Sequence, residues 1–200
     1  MNKIFICVIG PDNNGKSTVI KWLGATLCSS VESSAIISSS KYVNQKFVHD
    51  SVPHSVQSWK LFKQEDVGII LKVDSHTVGI FSPGDTEADV YNSIDEADKY
   101  SCDITIIAIN MDGVFKGTDI PSEATSKVET AIKARFQKIT GTIRIVNSLK
   151  RDVDLDWPPN IRLTRNGNAR IRKDWKLHSL QTMDLMSVFL STISNEKENN

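Results

Sequence analysis

The chain has 200 residues, 40% of them apolar, and its 24 lysines and arginines are matched by 24 aspartates and glutamates. This length suits one folded α/β domain, which we place at residues 1–194 with a polar tail at 195–200, and it argues against a second full domain. Because the formal net charge is zero, we expect no bulk attraction to DNA or to a membrane surface.

A buried strand and a helix flank a glycine-containing turn near the start of the chain. The apolar run 4–9 is typical of a central parallel strand, and apolar residues at helical spacing predict a helix over 16–29. Between them, residues 10–17 read Gly-Pro-Asp-Asn-Asn-Gly-Lys-Ser, which matches the phosphate-loop pattern G-x-x-x-x-G-K-[ST]. Glycines let such a loop curl round a phosphate with its amides pointing inward, and the helix adds the positive end of its dipole.

The phosphate loop supplies the groups that a nucleotide and its magnesium ion require. Lys16 would reach the β- and γ-phosphates, and the Ser17 hydroxyl would ligate Mg²⁺. The residues that we predict to bind the nucleotide here are Asp12, Asn13, Asn14, Gly15, Lys16, Ser17 and Thr18. The alternative is a plain strand-turn-helix connection in which the glycines serve only the turn.

The rest of the chain alternates strands and helices. Residues 29–66 are the least regular, with an apolar run at 35–37 that indicates either a small strand or a loop, and a helix at 55–63. Two β-branched runs, 67–73 and 77–81, predict a β-hairpin that ends in Ser82-Pro83-Gly84-Asp85. Further apolar patterns predict a helix at 89–98, a strand at 104–109, a helix at 122–139, a strand at 142–146 and a terminal helix over about 180–193. This order predicts a three-layer P-loop sandwich, with a mostly parallel sheet and one antiparallel hairpin strand.

Charge and cysteine patterns bear on partners and compartment. Residues 162–176 carry six lysines and arginines against one aspartate, with Trp175 among them. Such a stretch either contacts the phosphates of RNA or of the bound nucleotide, or forms a solvated loop. The acidic run from Asp85 to Asp98 indicates a solvated helical face. The three cysteines lack Cys-x-x-Cys spacing and indicate buried thiols in a reducing compartment, so we expect a cytoplasmic protein.

Taken together, these elements resemble the GTP-binding domain of the translational GTPases, in particular elongation factor Tu and the selenocysteine-specific factor. Residues 10–18 align with that family's phosphate loop, 67–70 (Val-Gly-Ile-Ile) resemble its Arg-Gly-Ile-Thr switch, and 81–84 (Phe-Ser-Pro-Gly) resemble its Asp-x-Pro-Gly segment. Residues 89–94 and 102–118 are similar to the elements that follow there. The resemblance implies that the chain binds GTP or GDP with Mg²⁺, that Gly84 contributes to the nucleotide site, and that a tRNA or the ribosome is a partner.

Several positions depart from the family's pattern. Ile70 replaces the switch threonine that binds Mg²⁺, and Phe81 replaces the aspartate that holds a metal-bound water. Asp85 stands where a histidine orders the attacking water, so it is our candidate catalytic residue, although a carboxylate beside a triphosphate repels charge. Asn147 and Lys150 would border the base, but Lys150 replaces the carboxylate that selects guanine. We therefore predict nucleotide binding with weak or absent hydrolysis, and ATP or ADP as alternatives to GTP or GDP.

Two other functions remain open. Gly-Pro-Asp at the start of the loop is also typical of thymidylate-kinase-like proteins, and Arg165, Arg170 and Arg172 could form an arginine-bearing lid over transferring phosphates. Antiparallel pairing of 77–81 with 67–73 would favour the GTPase arrangement, whereas a parallel direction of all strands near the loop would favour a kinase. The third possibility is an interaction protein that binds no nucleotide. Because the barrel domains of full-length translational GTPases do not fit in 200 residues, the resemblance leads us to expect either a fragment of a longer protein or a stand-alone relative.

Overall fold

The computed structural model describes residues 3–11, 15–30, 34–49, 66–116, 125–147 and 183–194. The strands in these ranges are β1 (Ile4–Gly10), β2 (Ser34–Val43), β3 (Lys46–His49), β4 (Asp66–Val73), β5 (His76–Phe81), β6 (Ile104–Asn110) and β7 (Thr142–Asn147). The helices are α1 (Lys16–Ser30), α2 (Glu87–Lys99), α3 (Met111–Val114), α4 (Thr125–Arg135) and α5 (183–194). The helix expected at 55–63, the basic stretch 162–176 with its arginines, and the tail 195–200 lie outside the described residues.

The seven strands form one mixed sheet in the order β3-β2-β4-β5-β6-β1-β7, so the chain has an α/β fold. Strands β5, β6, β1 and β7 are parallel, and their carboxyl ends meet at one edge. The pairings β4 with β5, β2 with β4 and β2 with β3 are antiparallel. The predicted hairpin is confirmed, with Gly68 opposite Phe81 and Val73 opposite His76. The sheet is nevertheless mixed and not mostly parallel, because residues 34–49 add two antiparallel strands where the sequence predicted at most one small strand.

Both faces of the sheet are covered by helices. Every residue of β1 is buried, as expected for a strand with neighbours on both sides and helices above and below. Alternate side chains of β1 enter two hydrophobic clusters, one built with α1 and α5 and the other with α2 and α4. The helical members of the first cluster are Val19, Ile20, Leu23, Leu27, Leu185, Phe189 and Ile193, and those of the second are Val90, Ile94, Ala97, Val114, Val128 and Ile132. Among the described helices, none is long and apolar enough to cross a membrane.

Strand β2 forms from the serine-rich segment that predicted only a small strand or a loop. Ser39 and Ser40 are buried, and the Ser40 hydroxyl donates to the carbonyl oxygen of Gly68 at 3.1 Å. A serine that hydrogen-bonds to a neighbouring strand loses little by being buried. The chain then turns into β3 through Asn44 and Gln45, whose φ angles of 52° and 58° suit a tight two-residue hairpin turn.

Helix α2 begins earlier than the sequence indicated and buries one of its acidic residues. Thr86 caps it, its hydroxyl accepting from the Asp89 amide while the Asp89 carboxylate accepts from the Thr86 amide. The other carboxylate oxygen of Asp89 accepts from the Tyr42 hydroxyl at 2.7 Å. The expectation that the whole acidic run is solvated is therefore wrong for Asp89, which is buried.

Candidate phosphate-binding site

The candidate site lies at the edge of the sheet where β1, β5, β6 and β7 end. Ligands of open α/β sheets bind at this edge. The loop leaves β1 at Gly10 and Pro11 and enters α1 through Gly15, whose φ of 80° suits glycine and whose carbonyl accepts from the Val19 amide at 2.9 Å. The predicted ligands Asp12, Asn13 and Asn14 lie outside the described residues.

Lys16 is folded against its own loop. Its side chain is buried, and its Nζ donates to the carbonyl oxygen of Pro11 at 2.6 Å. A buried ammonium is stable only where hydrogen-bond acceptors surround it. Since phosphate oxygens are stronger acceptors for an ammonium than a carbonyl oxygen is, this position is suited to an anion bound in the loop.

Ser17 is oriented by the segment that follows β5. Its Oγ donates to the carbonyl oxygen of Ser82 at 2.8 Å, across the end of β6, which lies between β1 and β5. A hydroxyl that donates its proton in this way keeps oxygen lone pairs for a cation. Magnesium binds hard oxygen ligands and takes only one or two from the protein, the rest coming from water and phosphates. The residues present therefore fit a magnesium ion at Ser17.

Ser82 connects the start of α1 to the amino end of β4. Its side chain is fully buried; Oγ accepts from the Val67 amide at 2.8 Å and donates to Oδ1 of Asp66 at 2.9 Å. Lys21, on α1, places its Nζ 3.3 Å from the same carboxylate oxygen. Sequence reasoning missed Ser82, Asp66 and Lys21. Of these three, only Lys21 could have been found from the sequence, because it lies four residues after Ser17 and therefore on the same face of the helix.

Gly84 and Asp85 follow Ser82 at the same edge. The amide of Asn110 donates to the carbonyl of Gly84 at 2.8 Å, and a Cβ on Gly84 would lie 2.1 Å from the Ala108 carbonyl oxygen. The loop is therefore pressed against β6 so closely that a glycine is required. Asp85 is exposed, and its backbone carbonyl packs against Gly113. Thr18 is half-buried in the first turn of α1.

Two asparagines end the strands on either side of β1. Asn110 is in register with Gly10 and Asn147 with Ile9. Asn110 is buried, and its Oδ1 accepts from the amides of Asp112 and Gly113, which starts α3. The side chain of Asn147 and all of Lys150, the predicted base contacts, lie outside the described part of the chain.

The two residues that the resemblance aligns with switch positions are core residues. Ile70 and Phe81 are buried in the cluster beneath α2 and α4, on the opposite face of the sheet from α1. Ser82 follows Phe81 and reaches the face that carries Ser17. Neither Ile70 nor Phe81 can therefore supply an oxygen to a metal ion at the loop.

The described residues contain no group of three or more His, Cys, Asp or Glu side chains that could hold a metal ion by themselves. Cys7 and Cys102 are buried free thiols. Burial raises the pKa of each to about 12, with a smaller contribution from Glu129 for Cys7 and from Asp103 for Cys102. These thiols are thus neutral at physiological pH, which excludes them as thiolate nucleophiles.

Comparison of the chain with protein-family models, with curated proteins and with solved structures gave no significant match. The function must therefore be inferred from the loop, its neighbours and their chemistry.

Proposed function

We propose that this chain is a P-loop nucleotide-binding domain that holds the phosphates of GTP or GDP, or of ATP or ADP, together with Mg²⁺. The observation that carries the proposal is the placement of Lys16 and Ser17 at the start of the helix that follows a buried parallel strand, at the carboxyl edge of the sheet. Lys16 crosses its own loop to Pro11, and Ser17 is fixed by Ser82. Both side chains are thus oriented before a ligand arrives, which lowers the entropy lost on binding.

The roles of the two side chains follow from their donors and acceptors. The Lys16 ammonium would exchange its carbonyl contact for oxygens of the β- and γ-phosphates, and the loop amides and the start of α1 would hold the same anion. Ser17 would supply one oxygen to the magnesium ion. A bound magnesium ion neutralises phosphate charge and fixes the phosphate chain in one geometry.

Slow or absent hydrolysis is part of the proposal. Fast hydrolysis requires a group that positions the attacking water and groups that stabilise the charge of the transition state. Ile70 and Phe81 are buried on the far face of the sheet and offer no oxygen. Asp85 is exposed at the right edge, but its negative charge would oppose the charge that develops on the phosphate. These features suit a binding or regulatory domain, which holds a nucleotide without hydrolysing it quickly.

The relation to the translational GTPases is the preferred interpretation of the fold. The antiparallel pairing of β4 with β5 is the feature that suits the GTPase arrangement, while the parallel strands on both sides of β1 suit a thymidylate-kinase-like one equally well. We accordingly propose a GTPase-like binding or regulatory module of the cytoplasm, with a tRNA or the ribosome as the partner that the resemblance implies. The buried free thiols Cys7 and Cys102 suit a reducing compartment.

Calorimetric titration with GTP, GDP, ATP and ADP in the presence of Mg²⁺ tests the proposal. We expect binding of at least one nucleotide with turnover near background. Lys16→Ala should weaken binding by about 10- to 100-fold, because a hydrogen bond to a charged group contributes roughly 1.5–3 kcal/mol. Lys133→Ala is the matched control, since Lys133 lies on the exposed surface of α4 and pairs with Glu129.

The outcomes separate the three functions. Binding of none of the four nucleotides would leave the interaction protein as the remaining function. Phosphate transfer to a nucleoside monophosphate would establish the kinase. Rapid, guanine-selective hydrolysis would contradict the loss of catalysis, and unchanged binding by Lys16→Ala would show that the phosphates lie elsewhere.

A further inference from the structure

A second cluster of polar side chains lies between β2, β3 and the end of α2. It joins Ser38 on β2 and His49, the last residue of β3, to Glu96 and Lys99 on α2 and to Tyr100, which caps that helix. Helix α2 begins at the phosphate-binding edge, and its three members of the cluster belong to its other end. The cluster is therefore separate from the proposed nucleotide site.

The contacts in this cluster connect a hydroxyl, an imidazole and a carboxylate in series. Ser38 Oγ lies 3.2 Å from His49 Nδ1, and His49 Nε2 lies 2.9 Å from Glu96 Oε1. The Tyr100 hydroxyl donates to Ser38 Oγ at 3.1 Å. A hydroxyl within hydrogen-bond reach of a base, with the base oriented by a third group, is the arrangement that activates a serine as a nucleophile.

The neighbours of the neutral His49 ring determine which of its nitrogens carries the hydrogen. A carboxylate oxygen 2.9 Å from Nε2 is favourable only if Nε2 bears a hydrogen that Glu96 accepts. Nδ1 then has the lone pair and accepts from the Ser38 hydroxyl. Lys99 Nζ lies 3.1 Å from Nε2 and 3.5 Å from Glu96 Oε1. In this tautomer the ammonium donates to the carboxylate, which it holds beside the ring.

An irregularity of β2 turns Ser38 toward this cluster. Ile36 pairs with Leu71 and Ser38 with Ile70, so Ile37 is an extra residue that forms a β-bulge. In a regular strand, positions 36 and 38 would face the same side of the sheet. Ile36 packs on the cluster beneath α1, whereas Ser38 faces α2. Bulges are over-represented next to active sites because they re-aim a side chain in this way.

The exposure of the side chains follows the order of the proton transfer. Ser38 is half-buried, and the His49 side chain is 36% exposed, so a small molecule can reach both. The Glu96 side chain is only 13% exposed, and the sheltered position strengthens its attraction for a protonated ring. Ile37, next to Ser38 in the chain, is 49% exposed and offers apolar surface to the substrate.

We infer that Ser38 is the nucleophile of a second site, which hydrolyses small carboxylic esters. Ser38 Oγ attacks the carbonyl carbon of the ester while its proton moves to His49 Nδ1. The bond to the alcohol then breaks, the alcohol leaves with the proton from His49, and an acyl group remains on Ser38. Water attacks this acyl group, His49 takes the proton of the water and returns it to Ser38 Oγ, and the carboxylic acid is released.

The other two side chains have distinct functions in this reaction. The Tyr100 hydroxyl, 3.1 Å from Ser38 Oγ, donates to the negative oxygen that develops on the attacked carbon. Glu96 is a positioning residue, because it holds the His49 ring in the required tautomer and stabilises its protonated form. The competing explanation is that the same contacts only fasten the β2-β3 hairpin to α2. Removing them would then change stability alone.

The test treats the full chain, without nucleotide or Mg²⁺, with a fluorophosphonate probe and, separately, with p-nitrophenyl acetate. An activated serine bonds to the phosphorus of the probe and displaces fluoride. We expect the probe on the peptide that contains Ser38, as located by mass spectrometry, and we expect release of p-nitrophenol that Ser38→Ala abolishes. The position of the probe is read from the parent protein, so this result does not depend on the folding of a variant.

Three further variants assign the functions within the cluster. His49→Gln removes the base and should lower kcat/KM for p-nitrophenyl acetate by about 100-fold or more. Glu96→Gln should lower kcat and leave KM unchanged, because Glu96 acts on the ring and not on the ester. Ser191→Ala removes an exposed serine of α5 and should match the parent. Thermal unfolding of each variant verifies that it is folded.

The inference does not depend on nucleotide binding, and each result bears on it directly. A parent protein that the fluorophosphonate leaves unmodified, or modifies at a residue other than Ser38, would overturn it. Equal rates of p-nitrophenol release in the parent and in folded His49→Gln would do the same. A Glu96→Gln variant that loses stability but keeps the parent's kcat would show that Glu96 only fastens the hairpin to α2.

Discussion

The ring of Phe47 on β3 meets the ring of Phe81 at the end of β5 edge to face, with ring centroids 5.4 Å apart. Tyr42 on β2 continues the stack, with its ring centroid 4.7 Å from that of Phe47. Gly68 leaves room for the Phe47 ring, since a Cβ at residue 68 would lie 2.8 Å from Phe47 Cε1. The position where the resemblance calls for a carboxylate is thus occupied by an aromatic ring that attaches the β2-β3 hairpin to the core.

This packing predicts that Phe81→Asp unfolds the protein, and that the new carboxylate therefore does not confer nucleotide hydrolysis. Phe81 is fully buried, and truncating such a ring costs about 3–5 kcal/mol before the added penalty of a buried charge. Urea denaturation at neutral pH measures the loss. Phe81→Leu keeps an apolar side chain and should cost only about 1–2 kcal/mol. A folded Phe81→Asp variant with faster hydrolysis would contradict this account of the substitution.

Gly84 and Gly113 each lie against a backbone carbonyl oxygen, so we expect both positions to be sensitive to substitution by a larger residue. A Cβ on Gly84 would lie 2.1 Å from the Ala108 carbonyl oxygen, and one on Gly113 would lie 2.0 Å from the Asp85 carbonyl oxygen. Both obstacles are backbone atoms, so the loop after β5 must move away in either alanine variant. We expect Gly84→Ala and Gly113→Ala each to lower the free energy of unfolding by about 1–3 kcal/mol.

Nucleotide titration of folded Gly84→Ala distinguishes loop displacement from general destabilisation. Displacing this loop moves the Ser82 carbonyl that orients Ser17, so the magnesium-dependent part of binding should fall more than the part measured in EDTA. Equal loss of both parts would show that the loop does not orient Ser17.

The sequence predicted the parts of the fold that have strong local patterns. The continuous apolar run of β1, the β4-β5 hairpin and the apolar strand β6 could all be located from residue type alone. Strand β2 could not, because its serines are buried by hydrogen bonds such as that of Ser40 to Gly68, which depend on a neighbouring strand. Because the ten residues of β2 and the short β3 join the sheet, it is mixed and not, as the sequence had predicted, mostly parallel.

Only the residues of the candidate site that are adjacent in the sequence could be predicted. Lys16 and Ser17 could be proposed because they are adjacent in a recognisable sequence motif. Ser82 and Asp66 were not, because the contact of Ser82 with Ser17 and that of Asp66 with Ser82 depend on the antiparallel direction of β4 and on the position of β6 between β1 and β5. Strand order and direction are set by packing of the whole sheet, and no local spacing encodes them.

Burial of Cys7 and Cys102 predicts slow reaction with thiol reagents. With pKa values of about 12, roughly one thiol in ten thousand is ionised at pH 8, and neither side chain is accessible. In a Cys28→Ser background, Ellman's reagent should modify both remaining cysteines only after guanidinium is added. Rapid modification of the folded protein would show that β1, which carries Cys7, or the turn before β6, which carries Cys102, opens.

The raised pKa of Tyr42 predicts that the free energy of unfolding decreases at high pH. Burial raises its pKa from 10.0 to about 12; the bond from Asn92 lowers it and the one to Asp89 raises it. Because the folded state favours the neutral phenol, the stabilisation is fully present below pH 10 and is lost as the pH rises through 12. Tyr42→Phe leaves the buried Asp89 without this donor, which costs about 1–2 kcal/mol at neutral pH. The difference in unfolding free energy between parent and Tyr42→Phe should stay constant from pH 7 to 10 and shrink above it. Far-UV circular dichroism confirms that both are folded at each pH, and a difference already shrinking below pH 9 would contradict the hydrogen bond from Tyr42 to Asp89.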